Sequence, residues 1–583
     1  MVKAQQNLDF SAWNPGVESK IPQQCLYLET IYDPANVFTS LDEINQLVSE
    51  TGLSALELIN FRPHRLILHE LIVRITADIV VLEGDAEEDL GINFRAITWQ
   101  ILEHYIQPRL IQIEKRYHTN TTRIEELAQR ELDDLIKQLK PEKAPQPTLW
   151  QRLIGIKPKL PVSQQSRQER EFNLINEYKN RGLNAEDKFE AAVFRSLHRI
   201  LGLIATKRGF IGNDAHYLTH ICVLHANNYL GSRLIGPELA ELVDLAIKEE
   251  GYRLIPDAES PVLFSLKGAS AAGKSSLRPL LHSKMTKLGI DVQGYGTISP
   301  DIWRKLLLDY ESLGDNYKYA GRFTSHEVSV IDARLDRYIR SKADKSNSIP
   351  HLVVDRFRFD SFASEKVSRV LHKTYVRYID TMYMYFIVTP PEATVERGWQ
   401  RGLERGRYKA VDDYLGHCVE AYAGMPKLLF KWLANEKPRY SFKFLDNSVP
   451  KGCLPKMIAR GTQGWMQIFE SSPLIDIERF KRINILATKP EQVAAEPEDL
   501  TVKKNLGFLR QCIQRIAKIE FVDADSSRCF LTICQGEFEI TDIQLFEKKL
   551  KDETLREVMI ELAPDLLPEQ VLAKDQPINE LTE

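Results

Sequence analysis

The sequence predicts a multidomain chain in which an α/β domain with a parallel sheet follows a mainly α-helical N-terminal region and precedes a small α+β C-terminal domain. Its 583 residues are enough for several domains of ordinary size. Before about residue 260, apolar residues recur at spacings of three and four, which is typical of amphipathic helices. Between Pro261 and Asn447, short apolar runs alternate with helical patterns, as in a parallel sheet with crossover helices.

The helical region is divided by a proline-rich stretch. The segments SLDEINQLVSETGLSALELI and FRAITWQILEHYIQPRLIQIEKRYH predict helices in a domain over residues 1–137. Residues 138–170 combine prolines with many Lys, Arg and Gln, so they predict a linker or surface arm. Residues 171–260 return to helical spacing, and we expect this segment to pack on the α/β domain.

The α/β domain is predicted over residues 261–473, and the C-terminal α+β domain over residues 474–583. The polar run TKPEQVAAEPEDLTVKK indicates a joint after Pro473. Beyond it, NLGFLRQCIQRIAKI predicts a helix, and EFVDADSSRCFLTICQGEFEI predicts a β-hairpin.

Composition argues against a nucleic-acid-binding protein, a disulfide-linked protein and a membrane protein. The formal net charge is -4, so the chain lacks the basic excess of nucleic-acid-binding proteins. The 7 cysteines are scattered and odd in number, which favours reduced thiols over disulfides or a zinc site. The first residues lack a continuous apolar leader, and no run reaches the roughly 18 apolar residues of a membrane helix. We therefore expect a cytoplasmic protein with no membrane span and no nucleic-acid partner.

A glycine-bounded loop after the strand PVLFSL carries the most specific signal. Gly268-x-x-x-x-Gly273-Lys274-Ser275 matches the template of a phosphate-binding loop, and a helical pattern follows it. Lys274 would reach the β- and γ-phosphates, and the Ser275 hydroxyl would bind Mg²⁺. We therefore expect ATP and Mg²⁺ as cofactors; the alternative is a small-residue turn that only opens a helix. The expected nucleotide-binding residues are Gly268, Ala269, Ser270, Ala271, Ala272, Gly273, Lys274, Ser275 and Ser276.

Two acidic residues are expected near the carboxyl ends of strands. Asp301 lies between the β-branched stretch GYGTIS and a helix, where its carboxylate would meet a substrate hydroxyl or would only cap the helix. Asp355 follows the apolar strand LVV. Because ligands of open α/β sheets bind at the carboxyl ends of the strands, Asp355 is a candidate ligand of Mg²⁺ or of substrate.

A basic segment follows the third apolar strand, Tyr383–Val388. Arg397, Arg401 and Arg405 are spaced four residues apart and would share one helical face. A solvated basic face is the ordinary interpretation of such a run. Near a phosphate-binding loop, however, a mobile arginine lid that stabilises a transferred phosphoryl group is favoured. The candidate catalytic residues of this lid are Arg397, Arg401 and Arg407.

Together these clusters resemble the zeta-toxin-like branch of P-loop kinases, over about residues 261–447. The resemblance implies a P-loop kinase domain that uses ATP to phosphorylate small molecules, notably nucleotide-activated amino sugars. It implies Lys274 and Ser275 as the Walker pair and Asp301 as the general base. Its implied substrate-binding residues are Asp301, Glu327, Asp355 and Arg358.

Two departures leave the acceptor open. Asp355 stands where the family often has Glu followed by Gly-Thr. The loop GASAAGKSS also resembles that of antibiotic phosphotransferases on the same scaffold.

The expected mechanism is in-line transfer of the γ-phosphoryl group of ATP to a hydroxyl of a small molecule. Lys274, Mg²⁺ and the lid arginines would stabilise the transferred group, and Asp301 would accept the hydroxyl proton or orient the hydroxyl. An ATP-binding switch or scaffold without an acceptor, and a polynucleotide 5′-kinase, are the alternatives. The helical N-terminal region is a candidate surface for a protein partner, an inhibitor of the kinase in cis, or an oligomer interface.

Overall fold

The computed structural model describes residues 10–84, 87–139, 166–291, 293–355, 372–450 and 452–567. Within these ranges the α-helices are α1 (Leu41–Thr51), α2 (Ala55–Leu58), α3 (Pro63–Asp78), α4 (Glu87–Ile101), α5 (Leu110–Leu139), α6 (Arg167–Asn184), α7 (Lys188–Arg208), α8 (Ala215–Leu230), α9 (Gly236–Glu250), α10 (Arg278–Lys287), α11 (Arg304–Leu307), α12 (Ala320–Phe323), α13 (Ser325–Ser346), α14 (Pro391–Arg405), α15 (Val411–Leu433), α16 (Ser472–Phe480), α17 (Gly507–Arg515), α18 (Ile543–Lys549) and α19 (Glu553–Leu562).

The described strands belong to one sheet. They are β1 (Val262–Lys267), β2 (Tyr295–Ile298), β3 (His351–Val354), β4 (Thr381–Val388), β5 (Arg439–Asp446), β6 (Lys456–Thr462), β7 (Trp465–Ile468), β8 (Lys518–Val522), β9 (Cys529–Cys534) and β10 (Glu537–Ile540).

The chain forms two compact units. The sheet unit comprises the described parts of residues 1–23, 73–97 and 252–583. The helical unit comprises the described parts of residues 24–72 and 98–251. Most of the stretch predicted as a linker, residues 140–165, lies outside the described residues, whereas Ser166 caps α6 by accepting a hydrogen bond from the backbone N–H of Glu169.

The longest described helix of the helical unit, α5, is amphipathic. Ile113, Ile124 and Leu132 lie on the buried side of α5, at the spacing that places residues on one helical face. Pro108 has no N–H to donate to the carbonyl of His104, so the α-helical hydrogen bonding is interrupted there. For that reason the continuous helical pattern of the sequence is broken before α5 by a short 3₁₀ turn, Gln107–Arg109.

Across the described residues the sheet has ten strands in the order β10-β9-β8-β7-β6-β5-β4-β1-β3-β2. The pairs β2–β3, β3–β1, β1–β4 and β4–β5 are parallel, so β1 lies between β3 and β4. The β5–β6 and β6–β7 pairs are antiparallel. The α/β class is therefore confirmed, but the sheet is mixed rather than wholly parallel, because short connections join β5 to β6 and β6 to β7.

The predicted C-terminal hairpin is present and extends this same sheet. β9 pairs antiparallel with β10 through a turn at Gln535 and Gly536, both of which have positive φ. Two-residue turns of this kind match the twist of the strands that they join. β8 pairs with β9 on one side and parallel with β7 on the other, so these strands share the sheet with β1 to β5.

The connections of the parallel strands define where a ligand would bind. From β1 the chain passes to β2 on one side of the sheet and returns through β3, and then it crosses to β4 on the other side. Ligands of such sheets bind at the carboxyl ends of the strands where the strand order reverses. That position is the end of β1, where the sequence places its glycine-bounded loop.

None of the helices in the described ranges combines the length and the apolar character that a membrane span requires.

Candidate functional site

The loop Gly268–Gly273 begins directly after β1, whose six residues are all buried. Two glycines in it have little space for a side chain. A Cβ on Gly268 would lie 3.2 Å from Cβ of Ile387, and one on Gly273 would lie 2.1 Å from Nδ2 of Asn447. Gly273 also has φ of +90°, a left-handed conformation that glycine adopts without strain. The loop therefore lies close against the neighbouring strands.

Two polar residues at the ends of the adjacent strands hold this loop in place. Thr389, just after β4, donates its hydroxyl to the carbonyl of Ala272 at 3.0 Å. Asn447, just after β5, donates Nδ2 to the same carbonyl at 2.7 Å. Neither residue was singled out from the sequence, although each directly follows its strand.

The helix after the loop begins later than the sequence suggests. Lys274–Leu277 forms a 3₁₀ turn, and α10 starts at Arg278. The backbone N–H of Arg278 donates to the carbonyl of Ser275. Pro279 has no N–H to make the α-helical bond to that carbonyl, which explains the tighter first turn.

Lys274 lies folded over the loop. Its Nζ donates to the carbonyl oxygens of Gly268 and Ala269, each at 3.3 Å. Ser276 donates its hydroxyl to the carbonyl of Gly273 at 2.6 Å. The Lys274 ammonium is thus held over the part of the loop to which the sequence assigns phosphate binding.

Asp301 lies in a 3₁₀ turn after β2 and is surrounded by arginines. Its Oδ1 is 3.0 Å from Nε of Arg304, and its Oδ2 forms an ion pair with Arg407. Burial disfavours the carboxylate, but the charges of Arg407, Arg304 and Arg401 outweigh that effect and hold the pKa of Asp301 well below its usual range. Asp301 is therefore ionised at neutral pH, and 36% of its side chain remains exposed.

The loop between α14 and α15 connects this acid to the glycine-bounded loop. Arg407 contacts Asp301, and Lys409, two residues later, donates Nζ to the hydroxyl of Ser270 at 3.1 Å. Tyr408 between them is buried and packs edge-on against Trp399. Lys409 was missed by the sequence analysis, which considered only the arginines of this segment.

A basic pocket lies beside Asp301. The described structure gives it a volume of about 40 Å³, which is room for a few water molecules. α4 contributes to this pocket together with the arginines of the lid segment. Its charged lining residues are Glu88, Arg95, Asp301, Arg304, Lys305, Arg401, Arg405 and Arg407.

Arg397 occupies a different place from the other lid arginines. Its Nη2 donates to the carbonyl oxygens of Asn447 at 2.8 Å and Val449 at 2.9 Å. Arg397 thus fastens the chain after β5, which in turn holds the loop through Asn447. The catalytic role predicted for Arg397 stays a prediction, because these contacts give it a supporting position.

The remaining predicted residues are placed as follows. Glu327 is fully buried in the first turn of α13. Asp355 follows β3, and its backbone N–H donates to the carbonyl of Ile298 at 3.0 Å. Arg358 lies outside the described residues. Their assigned roles in substrate and metal binding stay predictions.

A buried carboxylate near the start of the chain also reaches this end of the sheet. Glu83 lies 2.6 Å from Nη1 of Arg278, and it accepts a hydrogen bond from the Thr297 hydroxyl on β2. Burial disfavours the charged form, but hydrogen bonds from His282 and Thr297 and the charge of Arg278 outweigh it and lower the pKa of Glu83. This contact was not predicted.

The residues before α1 pack beside the loop as well. The indole N–H of Trp13 donates to Oε1 of Glu396 at 2.9 Å. Ala12 belongs to an apolar cluster with Val395 and Tyr414, and Ala271 of the loop packs against that cluster. The first described residues therefore share an apolar cluster with Ala271 of the loop.

A larger cavity, of about 880 Å³, is lined by described residues at the opposite end of the sheet. Its lining includes Val262, His351, Thr381 and Arg439, which are at or near the amino ends of their strands. Since parallel sheets bind ligands at the carboxyl ends, we place the candidate site at the loop and not in this larger cavity.

Within the described ranges, no group of three or more His, Cys, Asp and Glu side chains could hold a metal ion. The predicted magnesium ligands, Ser275 and Asp355, would need phosphate oxygens and water to complete a coordination shell, as Mg²⁺ sites in nucleotide-binding proteins do.

No family model and no curated protein matches this chain. Among solved structures, the crystal structure of AvrRxo1-ORF1:-ORF2 with ATP is 18% identical over 43% of this chain and 76% of that chain, with a TM-score of 0.31. The AvrRxo1-ORF1:AvrRxo1-ORF2 structure with sulphate ions is 16% identical over the same shares, with a TM-score of 0.30. A structure of the PezAT chromosomal toxin-antitoxin system of Streptococcus pneumoniae is 14% identical over 35% of this chain and 74% of that chain, with a TM-score of 0.24. Similarities of this size carry no argument about function.

Proposed function

We propose that the protein is an ATP-dependent phosphotransferase that moves the γ-phosphoryl group of ATP to a hydroxyl of a small molecule. The observation that carries this proposal is the loop between α14 and α15. It brings Arg407 to the acid Asp301 and Lys409 to Ser270 of the glycine-bounded loop. A phosphate-binding loop, an ionised carboxylate and a group of cations therefore meet within one unit of the chain.

ATP binding is supported by the loop itself. Gly273 has φ of +90° and Gly268 lies tightly against Ile387, so the loop has the small residues and the left-handed turn that a phosphate-binding backbone uses. In this proposal, the Lys274 ammonium exchanges the carbonyls of Gly268 and Ala269 for phosphate oxygens. The exchange strengthens its contacts, because a hydrogen bond between two charged groups is stronger than one to a neutral carbonyl.

The chemistry of the donor set suits Mg²⁺. Ser275 offers a hydroxyl in the first turn after the loop, and Asp355 offers a carboxylate at the end of β3, the strand beside β1. Both are the hard oxygen ligands that Mg²⁺ prefers. When bound, the ion supplies charge neutralisation at the phosphate oxygens.

Asp301 would act on the acceptor. Because its pKa is held well below the usual range, the carboxylate accepts a hydrogen bond from the acceptor hydroxyl and orients the oxygen for attack. In the loose transition state of phosphoryl transfer, the proton leaves late, so orientation matters more than basicity. Arg401 and Arg407 then stabilise the charge on the transferred group.

The acceptor proposed here carries negative charge. Six Lys or Arg side chains line the pocket beside Asp301, against only two carboxylates. A nucleotide-activated sugar, as the sequence resemblance implies, is a small molecule of this chemistry. Because the pocket holds only about 40 Å³ while Arg407 contacts Asp301, acceptor binding requires Arg407 to move from the carboxylate.

One observation favours the alternative function of an ATP-binding switch. The ion pair of Arg407 with Asp301 occupies the place where an acceptor hydroxyl would bind. If that pair persists when ATP binds, closure of the loop on phosphate would change the shape of the protein without any transfer.

Transfer of label separates the two functions. The purified protein, with Mg²⁺ and γ-labelled ATP, is incubated with a pooled extract of small metabolites, and label is followed by mass spectrometry. A labelled small molecule that requires Lys274 supports the phosphotransferase. ATP binding without transfer, or transfer to water alone, would support the switch.

A further inference from the structure

We propose that Lys409 is a second lysine of the ATP site, which binds the γ-phosphoryl group during its transfer. This inference rests on the proposed function and adds a catalytic residue to it. It assigns to Lys409 a contact with the oxygens of the transferred group, while Lys274 is assigned the β- and γ-phosphates.

The position of Lys409 is the first argument. Its Nζ lies 3.1 Å from Oγ of Ser270, within the loop that would hold the phosphates, and 3.5 Å from Nδ1 of His417. Lys409 comes two residues after Arg407, whose guanidinium contacts Asp301. The ammonium therefore lies on the stretch of chain that joins the nucleotide side of the site to the acceptor side, where the γ-phosphoryl group must pass.

The charge around Lys409 is the second argument. Among the described residues, no carboxylate forms an ion pair with it, while Arg401, Arg407 and Arg304 add positive charge and Asp301 alone opposes them. Burial and the charges of Arg407 and Arg401 lower the pKa of Lys409 well below its usual range. The surrounding positive charge disfavours the ammonium form of Lys409, and the negative charge of an incoming phosphate favours that form. The surroundings of Lys409 therefore carry an excess of positive charge, which the phosphates of ATP would neutralise.

Lys409 acts in this scheme without giving up a proton. The bond between the γ-phosphorus and its bridging oxygen breaks, a bond from the acceptor oxygen to the γ-phosphorus forms, and the hydroxyl proton passes by way of Asp301 to solvent. The Lys409 ammonium donates hydrogen bonds to the equatorial oxygens, where charge is spread in the transition state.

The test compares nucleotides that differ in the γ-phosphate. Binding of ADP and of a non-hydrolysable ATP analogue, each with Mg²⁺, is measured by calorimetry on the full chain. The variants are Lys409→Met, Lys409→Gln and Lys409→Arg. Lys443→Met is the matched control, because Lys443 is also a lysine whose pKa is lowered by burial, but its Nζ lies 5.0 Å from the centre of the Tyr385 ring.

We expect Lys409→Met and Lys409→Gln to weaken binding of the ATP analogue by about ten- to hundredfold, as the loss of a charge-assisted hydrogen bond predicts. ADP binding should stay within about twofold of wild type, and Lys409→Arg should restore most of the affinity. Lys409→Gln keeps a partner for Ser270, so it separates loss of charge from loss of folding.

Equal affinity of Lys409→Gln and wild type for the ATP analogue would overturn the inference while leaving the proposed function intact. Equal weakening of ADP and of the analogue would also overturn it, because Lys409 would then only support the loop. If the wild-type chain bound neither nucleotide, the proposed function itself would be wrong.

Discussion

The Arg407 guanidinium forms an ion pair with the carboxylate of Asp301. The same short loop carries Lys409, which donates to Ser270 of the glycine-bounded loop. Movement of this loop would therefore change both contacts together. In the proposed enzyme, one movement of this loop brings Lys409 to the phosphate and separates Arg407 from Asp301.

Arg407→Gln should change the pH dependence of transfer. In the wild type the pKa of Asp301 is held well below its usual range, so activity that needs the carboxylate is lost only when the pH falls through that low value. Removing Arg407 removes the largest favourable charge, so the pKa rises and the acid limb of the kcat/KM profile moves to higher pH. An unchanged acid limb would show that Asp301 does not govern it.

Gly273→Ala should abolish ATP binding. Its Cβ would lie 2.1 Å from Nδ2 of Asn447, so Asn447 would have to move and would lose its hydrogen bond to the loop carbonyl of Ala272. Gly289→Ala is the matched control, because Gly289 also has a positive φ, of +74°, but has open space around it. We expect Gly289→Ala to cost about 1 kcal/mol of stability and to leave ATP affinity unchanged. Equal ATP affinity of the two variants, measured by calorimetry, would exclude the packing argument.

Glu83→Gln should destabilise the sheet unit. The Arg278 side chain is only 10% exposed and would lose its charged partner, which costs about 3 kcal/mol for a buried pair. The exposed Glu259→Gln serves as the control, with an expected change within about 0.5 kcal/mol. The free energy of unfolding of each variant is measured by unfolding in urea.

The same residue predicts a dependence on pH. Because the pKa of Glu83 is lowered in the folded protein, its stabilising effect is full above the pKa of an unfolded Glu, and it is lost as the pH falls through the folded value. Glu83→Gln should therefore unfold with a weaker dependence on acid pH than the wild type does. An identical pH dependence of the two proteins would count against a stabilising charge at Glu83.

Arg397→Ala should act through the fold rather than through chemistry. Arg397 donates to the carbonyls of Asn447 and Val449, so we expect a loss of about 1 to 3 kcal/mol in the free energy of unfolding, with a parallel loss of ATP affinity. The exposed Arg460→Ala should change neither. A fall in kcat with normal stability and normal ATP affinity would instead support the lid role predicted from sequence.

The strands and the loop of the site could be predicted from sequence because their signals lie in consecutive residues. The run PVLFSL is buried on both faces as β1, and the run at residues 383–388 forms most of β4, so continuous apolar letters sufficed to predict them. The spacing of Gly268, Gly273 and Lys274 is likewise local. These features depend on neighbours in the chain, which a sequence shows directly.

Long-range partners were not accessible in the same way. Glu83 lies in the acidic run LEGDAEEDL, which has the composition of a solvated loop, and nothing local indicates its ion pair with Arg278. Lys409 differs from a surface lysine only through its distance to Ser270. Pro279 did carry a local signal, since a proline there excludes the α-helical hydrogen bond to Ser275.

The division into five segments stays a prediction. Strands β8 to β10, predicted in a separate C-terminal domain, share one sheet with β1. Residues 10–23 and 73–84 were predicted in a helical N-terminal domain, but they belong to the sheet unit. Sequence patterns show the elements themselves, whereas the assignment of an element to a unit depends on contacts between distant residues.

The most direct measurement is the rate of label transfer from γ-labelled ATP by wild type, Lys274→Ala and Asp301→Asn, with ATP affinity measured on the same preparations. We expect Asp301→Asn to bind ATP normally and to transfer about 10²- to 10⁴-fold more slowly, because only the acceptor side has lost its charge. Lys274→Ala should lose both binding and transfer. Transfer at the wild-type rate by either variant would contradict the assignment of phosphotransfer to this site.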